Sequence, residues 1–146
     1  MFNLLISGNP TAWETDQLMR MELGRFKQYS GGDSEAILAD NPSSLKTLEA
    51  FPSLLLYERG LEGPTVDRVR YGFLRDVRLV KRELQFRFSE EGVFPNAVIK
   101  DFAERLGLSQ WEWGTTHWAI KDGGIPTALL DQLQLRIFTG TITDFS

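Results

Sequence analysis

Between Val66 and Phe88 the chain alternates apolar and polar residues with a period of two, and no other feature restricts its fold as strongly. Val69, Tyr71 and Phe73 alternate with Arg68, Arg70 and Gly72; further on, Leu84, Phe86 and Phe88 alternate with Glu83, Gln85 and Arg87. Successive residues of a strand point to opposite faces, so this pattern predicts long antiparallel strands with one buried and one wet face. The spacing divides the stretch into strands over Val66–Leu74 and Val77–Phe88. Arg75–Val77 forms a turn or bulge between them, and the second strand bends near Lys81–Glu83.

The flanking sequence supplies further strands and a few helices. "FNLLIS" opens the chain as a strand closed by the turn residues of "GNP". In "LMRMELGRF", Met19, Met21 and Leu23 share one face, which favours a strand over Met19–Phe26 despite the helical propensity of Leu, Met and Glu. The connection "QYSGGDSEAILADNPSS" allows a helical turn at Glu35–Ala39. Pro42 and Ser43 introduce a short helix that places Leu45, Leu48 and Phe51 on one stripe and ends at Pro52. "SLLLYE" is apolar without interruption, as expected of a strand covered on both faces. Helical spacing of Val98, Ile99, Phe102, Ala103 and Leu106 predicts a helix over Asn96–Leu106, with Gly107 suited to its C-terminal end. "QWEWG" and "THWAIK" read as two short strands. Gly123 and Gly124 turn the chain into a helix from about Pro126 to Leu133, and "LRIFTGTIT" supplies a final edge strand.

No repeat, low-complexity tract or linker interrupts this order. The expectation is one α+β domain over residues 1–146, with a mostly antiparallel, barrel-like sheet covered by two or three helices. Leu55, Tyr71, Phe73, Phe86, Phe102, Trp118 and Ile120 are expected to be buried together.

Composition removes whole classes of chemistry. The chain has no cysteine, which excludes disulfides, thiolate catalysis, iron–sulfur clusters and thiolate zinc sites. One histidine excludes a multi-imidazole metal centre, and neither a metal nor a cofactor is expected. No Gly-x-x-x-x-Gly-Lys, Gly-x-Gly-x-x-Gly or Gly-x-Ser-x-Gly sequence occurs. The apolar stretch in "MFNLLISGNP" is short and lacks a positive flank. It predicts neither a signal peptide nor a membrane span, and a cytoplasmic location is the expectation. Net charge is −4, which disfavours indiscriminate nucleic-acid binding. The distribution is uneven: Asp67–Arg87 holds seven basic residues against three acidic, a local +4 that leaves −8 for the rest of the chain.

Three groups of residues could carry function. The first is His117 with Lys121, which share a strand face turned away from the core residues Trp118 and Ile120. His117 is a candidate general base, with Glu112, Asp122 or Glu58 as its orienting carboxylate, and equally a histidine bonded to a loop carbonyl at a sheet edge. If the chain is an enzyme, the catalytic set is His117, Glu112 and Asp122. The second group is Trp111 and Trp113, two apart and on one face of a strand, either as a stacking surface or as core. The third is Arg68, Arg70, Arg78 and Arg87 on the wet side of the long strands, where they could hold phosphates or carboxylates or pair with neighbouring acids.

The segments "GNPTAW", "RFKQYS", "FPSLLLYE" and above all "THWAIKDGGI" resemble a poorly characterised set of bacterial proteins. In those a Thr-His-Trp-Ala-(Val or Ile)-Lys-Asp block closes a domain of this length, alone or in front of effector domains such as those of defence systems. The resemblance spans residues 2–135 and is specific at the histidine block. Thr115 and Gly123 stand where arginine and aspartate are expected. It implies an accessory or interaction domain and no particular activity. The sequence therefore favours a non-catalytic binding module, with a protein or a small anionic or polar ligand as partner and no membrane. A small hydrolase or nucleotide-processing enzyme using His117, and RNA or single-stranded DNA binding through Arg68–Arg87, are the alternatives.

Overall fold

The computed structural model of the chain describes residues 1–15, 17–26, 29–30 and 44–134. Among these residues six strands form one mixed sheet: β1 (Phe2–Ser7), β2 (Met19–Glu22), β3 (Pro52–Tyr57), β4 (Arg68–Val80), β5 (Glu83–Pro95) and β6 (His117–Lys121). Their order across the sheet is β2-β5-β4-β3-β1-β6. β1 and β3 run parallel, and every other neighbouring pair is antiparallel. Among the described residues four short helices accompany them: α1 (Ser44–Leu48), α2 (Asn96–Phe102), α3 (Gln110–Trp113) and α4 (Thr127–Leu130).

The sheet curls into a half-barrel. Phe26, just beyond the β2 edge, bridges to Trp118 on the opposite edge strand β6. The Trp118 ring lies 5.1 Å from that of Phe26 and 5.2 Å from that of Phe86 on β5. Two bulges sharpen the bend. One extra residue on β5 sits opposite Tyr71–Gly72, and one on β4 lies between Arg75 and Arg78. A Cβ at Gly72 would fall 2.0 Å from the carbonyl oxygen of Ser89, so the first bulge requires glycine.

Curling gives the sheet two apolar faces. Inside lie Leu5, Trp13, Met19, Leu55, Tyr57, Phe86, Trp118 and Ile120; outside, Phe2, Leu4, Ile6, Leu54, Leu56 and Phe94 pack against Ile99, Leu106, Leu108, Trp113 and Leu129. Adjacent residues of β1 and β3 contribute to opposite faces, which explains their uninterrupted apolar sequence. The residues expected to share one core are therefore split. Leu55, Phe86, Trp118 and Ile120 are inside, whereas Tyr71 and Phe102 pack on the outer layer. Asn3 ties the interior together. Its amide donates to Leu48 O and Ser53 Oγ, each at 2.9 Å, and its oxygen accepts from Trp118 Nε1 at 3.1 Å.

Several boundaries differ from the sequence expectation for identifiable reasons. The turn between the long strands falls at Lys81–Arg82, where Lys81 takes φ +58°, and Asp76 at φ +53° marks a bulge within β4. Neither site carries the glycine or asparagine that such conformations usually attract. Met19–Glu22 is strand as expected, but Leu23–Arg25 tightens into a 3₁₀ turn. α2 is regular only to Phe102, after which the chain continues in turns to Leu106, whose N–H donates to Phe102 O at 2.9 Å. It closes, as expected, at Gly107, left-handed at φ +69°: Gly107 N donates to Glu104 O and Leu108 N to Ala103 O at 2.8 Å, a Schellman arrangement. "QWEW" is helix, not strand: Ser109 caps it by accepting from the Glu112 N–H at 3.1 Å. The expected turn at Glu35–Ala39 and edge strand from Leu135 lie outside the described residues; Gln134 pairs with Val93.

Candidate functional site

His117 begins β6 opposite Ile6 and so faces the outer, helix-covered side of the sheet. Strand parity separates it from Trp118 as expected, yet it does not face solvent, because α3 lies over it and its exposure is 0%. Its Nδ1 lies 2.6 Å from Thr115 O and its Nε2 2.9 Å from Glu112 Oε2. A carbonyl oxygen only accepts, so Nδ1 carries the hydrogen toward Thr115 O, and Nε2 is closed off by Glu112. The second carboxylate oxygen of Glu112 accepts from Lys121 Nζ at 2.7 Å. The same ammonium donates to Gly107 O at 3.0 Å and Tyr29 O at 3.2 Å, which uses its three donors. The Tyr29 ring meets His117 edge-on at 5.0 Å.

A buried carboxyl group held by His117 and Lys121 is the result. It fastens α3, the turn after α2 and the segment at Tyr29 to one edge strand. A general base must present a nitrogen lone pair to its substrate, and neither nitrogen of His117 is free or accessible. Of the three carboxylates considered for His117, only Glu112 reaches it. Asp122 is exposed, and Glu58 binds the Thr116 hydroxyl at a corner where a Cβ on Gly8 would meet the Glu58 carboxylate at 2.6 Å.

The structure also disperses the other two groups. Trp113 is 5% exposed and donates from Nε1 to Tyr57 O at 3.1 Å, while Trp111 is 82% exposed. The helical form of "QWEW" puts the two rings in opposite environments. Arg70 is not on a wet face but inside the half-barrel, 2% exposed. It pairs with Glu90 at 2.6 Å, donates to Trp13 O and Thr15 O, and lies 5.0 Å over the Phe88 ring. Its register partner Leu55 belongs to the inner core, so curling converts the polar side of β4 into interior at this point. Arg68 pairs with Glu14 at 3.1 Å and Arg87 with Asp76 at 3.8 Å, and Arg78 is exposed. These four arginines form no common patch.

One cavity escaped the sequence reading. It encloses about 490 Å³ between the loop after β3, α2 and α3. Arg59, Asn96, Lys100 and Gln110 supply its polar lining, with Leu108 and Trp113 among its apolar walls. Only the helical spacing of Asn96, Lys100 and Ala103 foreshadowed it, since that places them on one helix face. Among the described residues no group of three or more His, Asp and Glu side chains is placed to hold a metal ion, and no helix is long and apolar enough to cross a membrane.

Comparison of the chain with protein-family models, curated proteins and solved structures finds no match.

Proposed function

We propose that the chain is a non-catalytic binding or accessory module. The observation that supports this reading best is the state of His117, which is 0% exposed with both ring nitrogens held by Thr115 O and Glu112. The histidine acts as an internal staple, and the binding surface lies elsewhere. In this reading the module works in a bacterial cytoplasm, alone or in front of an effector domain, as the resemblance of its histidine block implies. Its partner is a protein or a small anionic or polar ligand.

The contact between His117 and Glu112 is the one feature that favours the rival enzyme, because a carboxylate-oriented histidine is a familiar general base. Burial and the lack of a free nitrogen argue against that use. Nucleic-acid binding is disfavoured by the scattering of Arg68, Arg70, Arg78 and Arg87, the burial of Arg70 and the net charge of −4.

The test is a screen of the purified chain against esters, phosphate esters and nucleotides, with His117→Gln in parallel. The expected result is no turnover above that of the variant. Turnover that belongs to the chain and disappears in a folded His117→Gln protein overturns the reading.

A further inference from the structure

We infer that the cavity between the β3 loop, α2 and α3 is a binding site for a small organic anion. This rests on the binding-module reading and goes beyond it in naming the site and the ligand class. Three observations carry it. The first is charge: Arg59 and Lys100 line the cavity, no carboxylate does, and among the described residues neither cation is in a salt bridge. Two cations without a carboxylate partner lining one cavity stand out in a chain with 16 basic and 20 acidic residues.

The second is preorganisation. Arg59 is attached to α3 twice, by its backbone N–H to Trp113 O at 3.1 Å and by Nε to Gln110 O at 2.7 Å. Its guanidinium is thereby fixed at the rim before any ligand arrives, which reduces the ordering cost of binding. Trp113 is itself pinned through its indole N–H to Tyr57 O.

The third is size. The volume of about 490 Å³ lies within the range of about 300–1,000 Å³ usual for small-molecule sites and suits a body of mononucleotide size. Leu108 and Trp113 offer that body apolar walls, while Arg59 and Lys100 hold a phosphate or carboxylate head.

Titration calorimetry on the whole chain at low ionic strength tests this, with adenosine 5′-monophosphate, glucose 6-phosphate and citrate as anionic probes and adenosine as the uncharged one. The phosphate and carboxylate arms identify the head group. At least one anion is expected to bind at a single site, and adenosine to bind about tenfold or more weakly than its monophosphate if that is the anion bound. Lys100→Glu should weaken the bound anion by about tenfold or more. Lys100 is exposed and has no bond within the described residues, so the variant keeps the fold. Trp111→Ala, outside the lining, should leave binding unchanged. Absence of binding by every anion, or binding indifferent to Lys100→Glu, overturns the inference. Neither result touches the non-catalytic reading, which stands or falls on turnover.

Discussion

Replacing Glu112 by alanine is the most direct probe of the buried cluster. The carboxylate is 2% exposed and bonds His117 Nε2 at 2.9 Å and Lys121 Nζ at 2.7 Å. Its removal strands a histidine donor that is 0% exposed and beyond the reach of solvent. Breaking a buried ion pair from one side costs about 3–5 kcal/mol. Lys121 contributes little of this, because it is partly exposed and keeps Gly107 O and Tyr29 O as partners. His117 keeps its Nδ1 contact with Thr115 O, so the expected loss lies toward about 3 kcal/mol, a large part of the 5–15 kcal/mol typical of a domain. Glu112→Gln is the internal control. Its amide oxygen serves one donor while its NH₂ opposes the other, so it should cost about 1–3 kcal/mol. Urea unfolding at neutral pH measures both, with the slope m expected to be unchanged. A Glu112→Ala loss below about 1 kcal/mol, or a glutamine variant less stable than the alanine one, would refute the assignment of Glu112 as the clamp of α3.

Two further outcomes follow from the same packing. Trp118→Ala empties a fully buried indole site between Phe26 and Phe86 and leaves Asn3 Oδ1 unpaired, so urea midpoints should show a loss of about 3–5 kcal/mol; a loss near zero would mean the half-barrel does not close on this ring. Burial first, and the Glu14 charge, push the Tyr57 phenol above its ordinary 10.0 despite the N–H of Trp13, so the folded chain keeps this proton when the unfolded chain releases it. The contribution of this group to stability is therefore flat below pH about 10 and falls as pH rises past it, and Tyr57→Phe should reduce that alkaline slope; an unchanged slope would remove Tyr57 as its source.

Much of the sheet was legible because its strands obey simple parity. "FNLLIS", "SLLLYE" and "THWAIK" fall at Phe2–Ser7, Pro52–Tyr57 and His117–Lys121, and the alternation after Val66 marks the long hairpin. Parity states which residues share a face and not what covers it. For His117 it places the ring correctly on the side opposite Trp118, but that side is expected to be open and is covered by α3. Trp-Glu-Trp imitates a period of two, and a helix of four residues is too short to display its own period. The overlooked signal was Ser109 three residues before Glu112, a spacing typical of a helix start. Arg70 illustrates the other limit. Its alternation is that of a wet face, and only the closure of the half-barrel brings Glu90, Trp13 O and Thr15 O around it. The hairpin turn was misplaced because Lys81 and Arg82 adopt it without any of the residues that signal a turn.

The four residues of α3 bind the cluster and the cavity into one mechanical unit. Gln110 lines the cavity and holds Arg59 through its carbonyl, Trp113 closes the floor and rests on Tyr57 O, and Glu112 between them is gripped by His117 and Lys121. So short a helix has no stability of its own, and its position depends on these attachments. Any variant of His117, Glu112 or Lys121 that loosens α3 therefore disturbs Arg59 and the cavity wall at a distance from the altered side chain. A functional loss on changing His117 is what such a support predicts as readily as a catalytic base does. The two are separated by stability: a supporting residue loses binding in step with the unfolding midpoint and regains it when temperature is lowered, whereas a reacting group loses activity in a protein whose midpoint has hardly moved.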